Sequence, residues 1–156
     1  MRVDRRRGVV RLRLEPVEAA VLASMIDDLA TTLEADALAP DDPVRRRLFP
    51  DGYRDDDAAS AEFRALTETS LLTDRTGRAR GCARQLAGGA TVLELEADDG
   101  ERWIQVLNDL RLALGTRLDI TEDESELDPD DPDFEQRSLY HWLTAVQDSL
   151  VRALTR

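Results

Sequence analysis

Few residues in this chain have types suited to chemistry, and their spacing limits what that chemistry is. Cys82 is the single cysteine and His141 the single histidine. An internal disulfide and a His/Cys zinc set are therefore both excluded. Cys82 stands between Arg80 and Arg84. Cationic neighbours favour thiolate over thiol, so an exposed sulfur here would be a redox site, open to oxidation or to a mixed disulfide, whereas a buried one would be inert. His141 lies beside Trp142 with no serine or cysteine motif near it, and neither GxSxG nor HExxH occurs. It reads as a surface or packing residue. Gly88 and Gly89 follow a helical pattern and precede a strand-like one, the reverse of the strand-to-helix order of a phosphate-cradling loop. Carboxylates are abundant, but nothing in the sequence places two of them in one pocket with opposed pKa shifts. No catalytic residue, metal ligand or cofactor is nominated.

Charge is more informative. The formal net charge is −12, from 33 acids and 21 basic residues, and every basic residue is arginine. Residues 119–135 hold ten acids and no arginine, so this one stretch carries −10 and the other 139 residues sum to −2. Pro129 and Pro132 oppose a helix through it, and like-charge repulsion favours an exposed loop over residues 119–132. Calcium-loop registers fail: starting at Asp128 puts Asp133 where glycine is required and Leu139 where the bidentate glutamate belongs, and starting at Asp119 puts Glu124 at the glycine position. The loop is simply solvated, a weak adventitious cation binder, or a docking surface for a basic partner, made of Glu122, Asp123, Glu124, Glu126, Asp128, Asp130 and Asp131. Two arginine clusters stand opposite it in sign. Six arginines against Asp4 give +5 over the first thirteen residues, and Arg75, Arg78, Arg80 and Arg84 form the second group. Arg5, Arg6 and Arg7 are the candidate nucleic-acid contacts. Against them, nucleic-acid domains are usually basic overall and interleave aromatics, so the arginines are expected to be solvated or to answer the acidic loop in the same or a neighbouring molecule.

The elements that would position these groups are legible from periodicity. Residues 9–14 alternate as a half-buried strand. Pro16 opens a helix to about residue 36, with Leu22, Ile26, Leu29 and Leu33 on its inner face. A proline-rich connection with one short helical turn follows over residues 44–49. Helical spacing resumes at Ala58 with Phe63, Leu66 and Leu71 or Leu72, breaks at residues 74–77, and continues as a short helix to Leu86. Residues 91–96, TVLELE, read as a second strand. After a turn at residues 98–100 comes the central helix, with Trp103, Val106, Leu107, Leu110 and Leu114 inward and Gly115 ending it. Asp133 looks like an N-cap, paired with Gln136, for a last amphipathic helix carrying Leu139, Trp142, Leu143, Val146, Leu150 and Leu154. Its stripe suits either the chain's own core or a homodimer seam.

The length and the 42% hydrophobic content fit one ordinary domain over residues 1–156. The fold class is mainly α (α+β), a helical bundle-like domain with a small two-stranded ribbon that must lie against helices, since such a ribbon is marginal alone. The start lacks the apolar stretch of a signal peptide and no run of about 18 apolar residues occurs, so a cytoplasmic protein without membrane contact is expected.

Two stretches carry a family resemblance: WIQVLNDLRLALGTRLDIT at residues 103–121 and YHWLTAVQDSLVRAL at 140–154, with RLRLEP at 11–16 fitting less specifically. Together they resemble the AosR-like family of small actinobacterial proteins, of poorly defined function, often encoded near the Clp adaptor ClpS. Members are described as oxidative-stress or transcriptional regulators. The redox role this resemblance implies uses a cysteine pair. With Cys82 alone, an adduct with a low-molecular-weight thiol or a bond between two copies is what the single sulfur offers. The expectation is a non-enzymatic regulator that docks on another protein, such as a transcription or sigma factor. The alternatives are a DNA-binding regulator using the N-terminal arginines and an enzyme whose site is scattered along the chain.

Overall fold

The structure, a computed structural model, describes residues 1–50, 57–122 and 126–156, and for residues 57–61 and 63–66 the backbone alone. The Phe63 and Leu66 core positions therefore lie outside the described residues. Strands β1 (Arg2–Arg6) and β2 (Val9–Arg13) form a hairpin, followed by helices α1 (Pro16–Glu34), α2 (Pro43–Leu48) and α3 (Asp57–Leu86). Strand β3 (Val92–Leu95) leads directly into α4 (Ala97–Arg117), and α5 (Phe134–Leu154) closes the chain.

The mainly helical α+β class holds, but the ribbon has three strands and not two. The order is β1-β2-β3, all antiparallel, with Arg6 opposite Val9 and Val10 opposite Leu95. The added strand is the arginine-rich N-terminus, which lacks apolar alternation because it is an edge, and edge strands are commonly charged. Arg7 (φ 53°) and Gly8 (φ 86°) make the hairpin turn. Positive φ at both turn residues is the geometry whose twist matches a two-residue hairpin. Val10, Leu12, Leu93 and Leu95 bury one face of the sheet on the helices.

Pro16 stands in the first turn of α1, and the Glu15 N–H donates to Glu18 Oε2 at 2.8 Å, closing a capping box. The α1 face expected to be inward is buried at Leu22, Ile26, Leu29 and Leu33. Helix α4 packs on α1, α2, α3, α5 and the sheet, and Trp103, Val106 and Leu107 are fully buried at its centre.

Three expected boundaries shift. Helix α3 runs unbroken through residues 74–77, because packing of Ala79, Cys82 and Leu86 outweighs the roughly 1 kcal/mol that Gly77 costs relative to alanine. Helix α4 begins at Ala97, with no separate turn before it, and Gly100 lies inside it against the Leu154 side chain. Gly115 does not end α4. It lets Tyr140 of α5 approach closely, since a Cβ there would sit 3.0 Å from Tyr140 Cε2. Asp133 does occupy the N-cap position of α5 but makes no side-chain capping bond, so no capping box forms with Gln136. The α5 stripe suggested as a dimer seam is occupied within the chain, with Leu143, Val146 and Leu150 fully buried. No helix among the described residues is long and apolar enough to cross a membrane.

Candidate functional site

Helix α5 separates two charged surfaces. Its 21 residues span about 30 Å at 1.5 Å per residue, with the acidic segment before its first turn and a group of arginines around its last. Acids near a helix N-terminus and cations near a C-terminus both complement the helix dipole.

The acidic end is built on local hydrogen bonds. After α4, Asp119 adopts φ 52° and the Ile120 N–H returns to the Gly115 carbonyl at 2.9 Å, turning the chain out of the helix. Asp128 Oδ1 then accepts from the Asp130 N–H at 2.9 Å, and Asp131 Oδ1 from the Asp133 N–H at 2.8 Å, the self-bonding turns that aspartate favours. Arg137, one turn into α5, pairs with Asp131 at 2.9 Å and donates to the Leu118 carbonyl at 3.1 Å, tying the segment's two ends together. Glu122, Glu126, Asp128 and Asp130 are exposed and Asp131 is half-buried. Asp123 and Glu124 lie outside the described residues. Among the described residues no group of three histidine, cysteine or acidic side chains converges in a way that would hold a metal ion.

At the other end, the hairpin lies beside the last turn of α5 and leaves an open groove of about 720 Å³. Arg2, Arg5 and Arg7 line it from the hairpin, Arg152 and Arg156 from the helix end, and Asp4 is the acid among them. Arg5 Nη1 donates to the carbonyls of Ala153 and Leu154 at 3.2 and 3.3 Å, satisfying oxygens that a helix C-terminus leaves open. Strand alternation separates Arg5 from Arg6, which lines a different recess with Asp4, Val9, Arg11 and Glu94, and Arg7, in the hairpin turn, borders both. Sequence reasoning missed Arg152 and Arg156, which are nearly the whole chain away from the hairpin. The signal available was only that arginine is dense at both ends.

The second arginine group does not form one surface. Arg80 pairs with Asp27 at 2.6 Å and Glu34 at 2.7 Å on α1, and Arg84 is exposed. Arg75 pairs with Asp109, a carboxylate with 3% exposure inside α4. Burial pushes the Asp109 carboxyl above its ordinary range, with Arg75 opposing that shift. This buried charge was also missed, although Asp109 stands three residues beyond Val106, on the helix face assigned to the core.

Cys82 has 0% exposure, and burial pushes its thiol up to about 12, against a smaller opposing pull from Arg102. A redox role for this sulfur requires thiolate that solvent reaches. Arg80 cannot supply the activation expected from its place in sequence, because helix positions two apart do not face each other and its guanidinium is spent on α1. At neutral pH the native thiol should hold roughly a thousandfold less thiolate than an ordinary cysteine. Alkylation in native buffer should therefore be slow and accelerate only on unfolding. Labelling at the rate of a free peptide thiol would show that α3 opens. His141 is half-buried, edge-on to Tyr140 with ring centroids 5.9 Å apart.

A family described as a domain of unknown function (DUF2017) matches residues 1–154. The protein named oxidative stress regulator AosR from Mycobacterium tuberculosis (strain H37Rv) is 32% identical over 187 aligned residues, covering 98% of this chain and 86% of that protein, and its Mycobacterium bovis counterpart gives the same values. The putative oxidative stress regulator AosR of Mycobacterium leprae is 34% identical, covering 85% of this chain and 69% of that protein. No solved structure matches. A family match over nearly all of the described elements, together with these relatives, establishes that the chain belongs to the DUF2017, AosR-like family.

Proposed function

We propose that this chain is a regulatory protein that acts by docking on another protein, with the acidic end of α5 as the contact surface for a basic partner of the transcription machinery. A regulatory role is supported by the mycobacterial relatives, which are named oxidative stress regulators. The observation that carries the docking reading is the concentration of −10 of the −12 net charge in one segment. Its exposed carboxylates Glu122, Glu126, Asp128 and Asp130 are drawn into no ion pair with another element among the described residues. A concentrated field of one sign steers a complementary partner and sets its approach rate.

The test is affinity capture from the native host at moderate salt, comparing the wild-type chain with the variant Glu122→Gln, Glu126→Gln, Asp128→Asn, Asp130→Asn. A basic partner retained by the wild type should associate about tenfold or more slowly with the neutralised chain. Equal association of both would remove the acidic segment from the contact.

A further inference from the structure

We infer that the arginine groove at the C-terminal end of α5 is a docking site for the acidic segment of a second copy of this chain. The groove gathers Arg2, Arg5, Arg7, Arg152 and Arg156 around a space of about 720 Å³, with Asp4 the one acidic side chain among the described residues that line it. Arg5 is committed to the helix end. Arg2, Arg7 and Arg156 are exposed, with no ion pair to any described residue, and the Arg152 contact with Asp148 is loose at 3.9 Å. Arg152 also donates its Nε–H to the Asp148 carbonyl at 3.2 Å, so three guanidinium groups, those of Arg2, Arg7 and Arg156, border one concavity with their fork geometry unused, and that geometry matches carboxylate oxygens in pairs.

The chain carries its own complement to this groove and cannot use it internally. The acidic segment is anchored at α4 on one side and at α5 on the other, with Arg137 clamping both. The rigid length of α5, about 30 Å, then stands between it and the arginines. Only another molecule can bring the two surfaces together. At physiological ionic strength the screening length is about 8 Å, so each end presents its own sign to a neighbour despite the shared net charge.

Nucleic acid is the other polyanion with matching chemistry, and the groove suits it less. It is a short concavity between a hairpin and a helix end and not a continuous basic track, and no aromatic side chain is among the described residues that line it. The pairing would cover the surface proposed above for a regulatory partner. It does not rest on that proposal, because it is read from the purified chain alone.

The experiment is sedimentation velocity of the full chain at high micromolar concentration in about 100 mM and about 500 mM NaCl, where the screening length falls from about 10 Å to about 4 Å. The wild type should sediment as more than one copy of its 17.5 kDa mass at the lower salt and as a monomer at the higher. A groove variant, Arg2→Glu, Arg7→Glu, Arg156→Glu, changes exposed residues only and keeps the Arg5 contact, so it should stay folded. It and the neutralised acidic variant should each associate at least about tenfold more weakly. Mixed together they should recover a one-to-one complex, because one supplies an intact acidic segment and the other an intact groove. A wild-type monomer at both salts, association that survives either variant, or failure of the mixture to pair would overturn the inference. So would salt-sensitive binding of a short DNA duplex that the groove variant loses while the wild type stays monomeric, an outcome that assigns the groove to phosphates instead.

Discussion

Replacing Trp103 by alanine should lower the melting temperature by about 6 to 20 °C, corresponding to a loss of about 3 to 5 kcal/mol. The indole has 0% exposure at the middle of α4, the helix on which the sheet and the other helices pack. Its Nε1–H donates to Gln85 Oε1 of α3 at 2.7 Å, so truncation leaves both a cavity and an unpaired amide. The other tryptophan supplies the comparison. Trp142 was the candidate core indole of the last helix, yet it is half-buried, and its Nε1–H donates to Glu18 Oε1 at 3.1 Å near the start of α1. Trp142→Ala should therefore be clearly milder. Thermal melts followed by circular dichroism check both, and equal losses would contradict the central place of α4.

Removing the Asp109 carboxylate should be nearly as costly, and in a way that depends on what replaces it. Asp109→Ala leaves Arg75, and the neighbouring half-buried Arg78, without their anion in the interior. Breaking a buried pair from one side costs about 3 to 5 kcal/mol. Arg75 also lies over the Phe49 ring at 5.7 Å, with Arg45 at 5.8 Å, so the disturbance should reach α2. Asp109→Asn keeps an oxygen for Arg75 and removes the charge that burial opposes, and should cost much less. Replacing both partners, Asp109→Leu with Arg75→Met, should recover most of the alanine loss, as apolar substitution of whole buried pairs commonly does. The pH dependence has a definite sign. The folded-state pKa of Asp109 is raised above its unfolded value, so the folded state holds this proton more tightly, and stability falls as pH rises from the ordinary aspartate range through the folded value. The wild type should therefore gain relative to Asp109→Asn as pH is lowered through that window. A difference that moves the other way in denaturant titrations would mean that Arg75 outweighs burial.

The long amphipathic elements were readable because one face of each is apolar at the period of its backbone. Leu22, Ile26 and Leu33 of α1, Trp103, Val106 and Leu107 of α4, and Leu143, Val146 and Leu150 of α5 are all buried. Misreadings arose where local preference and tertiary packing disagree. Gly77 and Gly115 carry a helix-ending propensity, but α3 and α4 continue because neighbouring turns are buried and because Gly115 gives Tyr140 room. The strand β1 escaped notice because an edge strand of Arg2, Asp4, Arg5 and Arg6 satisfies its backbone by pairing with β2 without presenting an apolar row.

Composition and periodicity by themselves determined the helical class and the placement of nearly all the excess negative charge in one segment, while the residue order at 103–121 and 140–154 carried the family resemblance. These are local properties, written in consecutive residues. Only the tertiary structure decided that Cys82 is sealed inside, that Asp109 is a buried charge held by Arg75, and that Arg2, Arg5 and Arg7 meet Arg152 and Arg156 in one groove. Each of these depends on which distant segments pack side by side, and that follows from the helix and sheet faces closing together around α4.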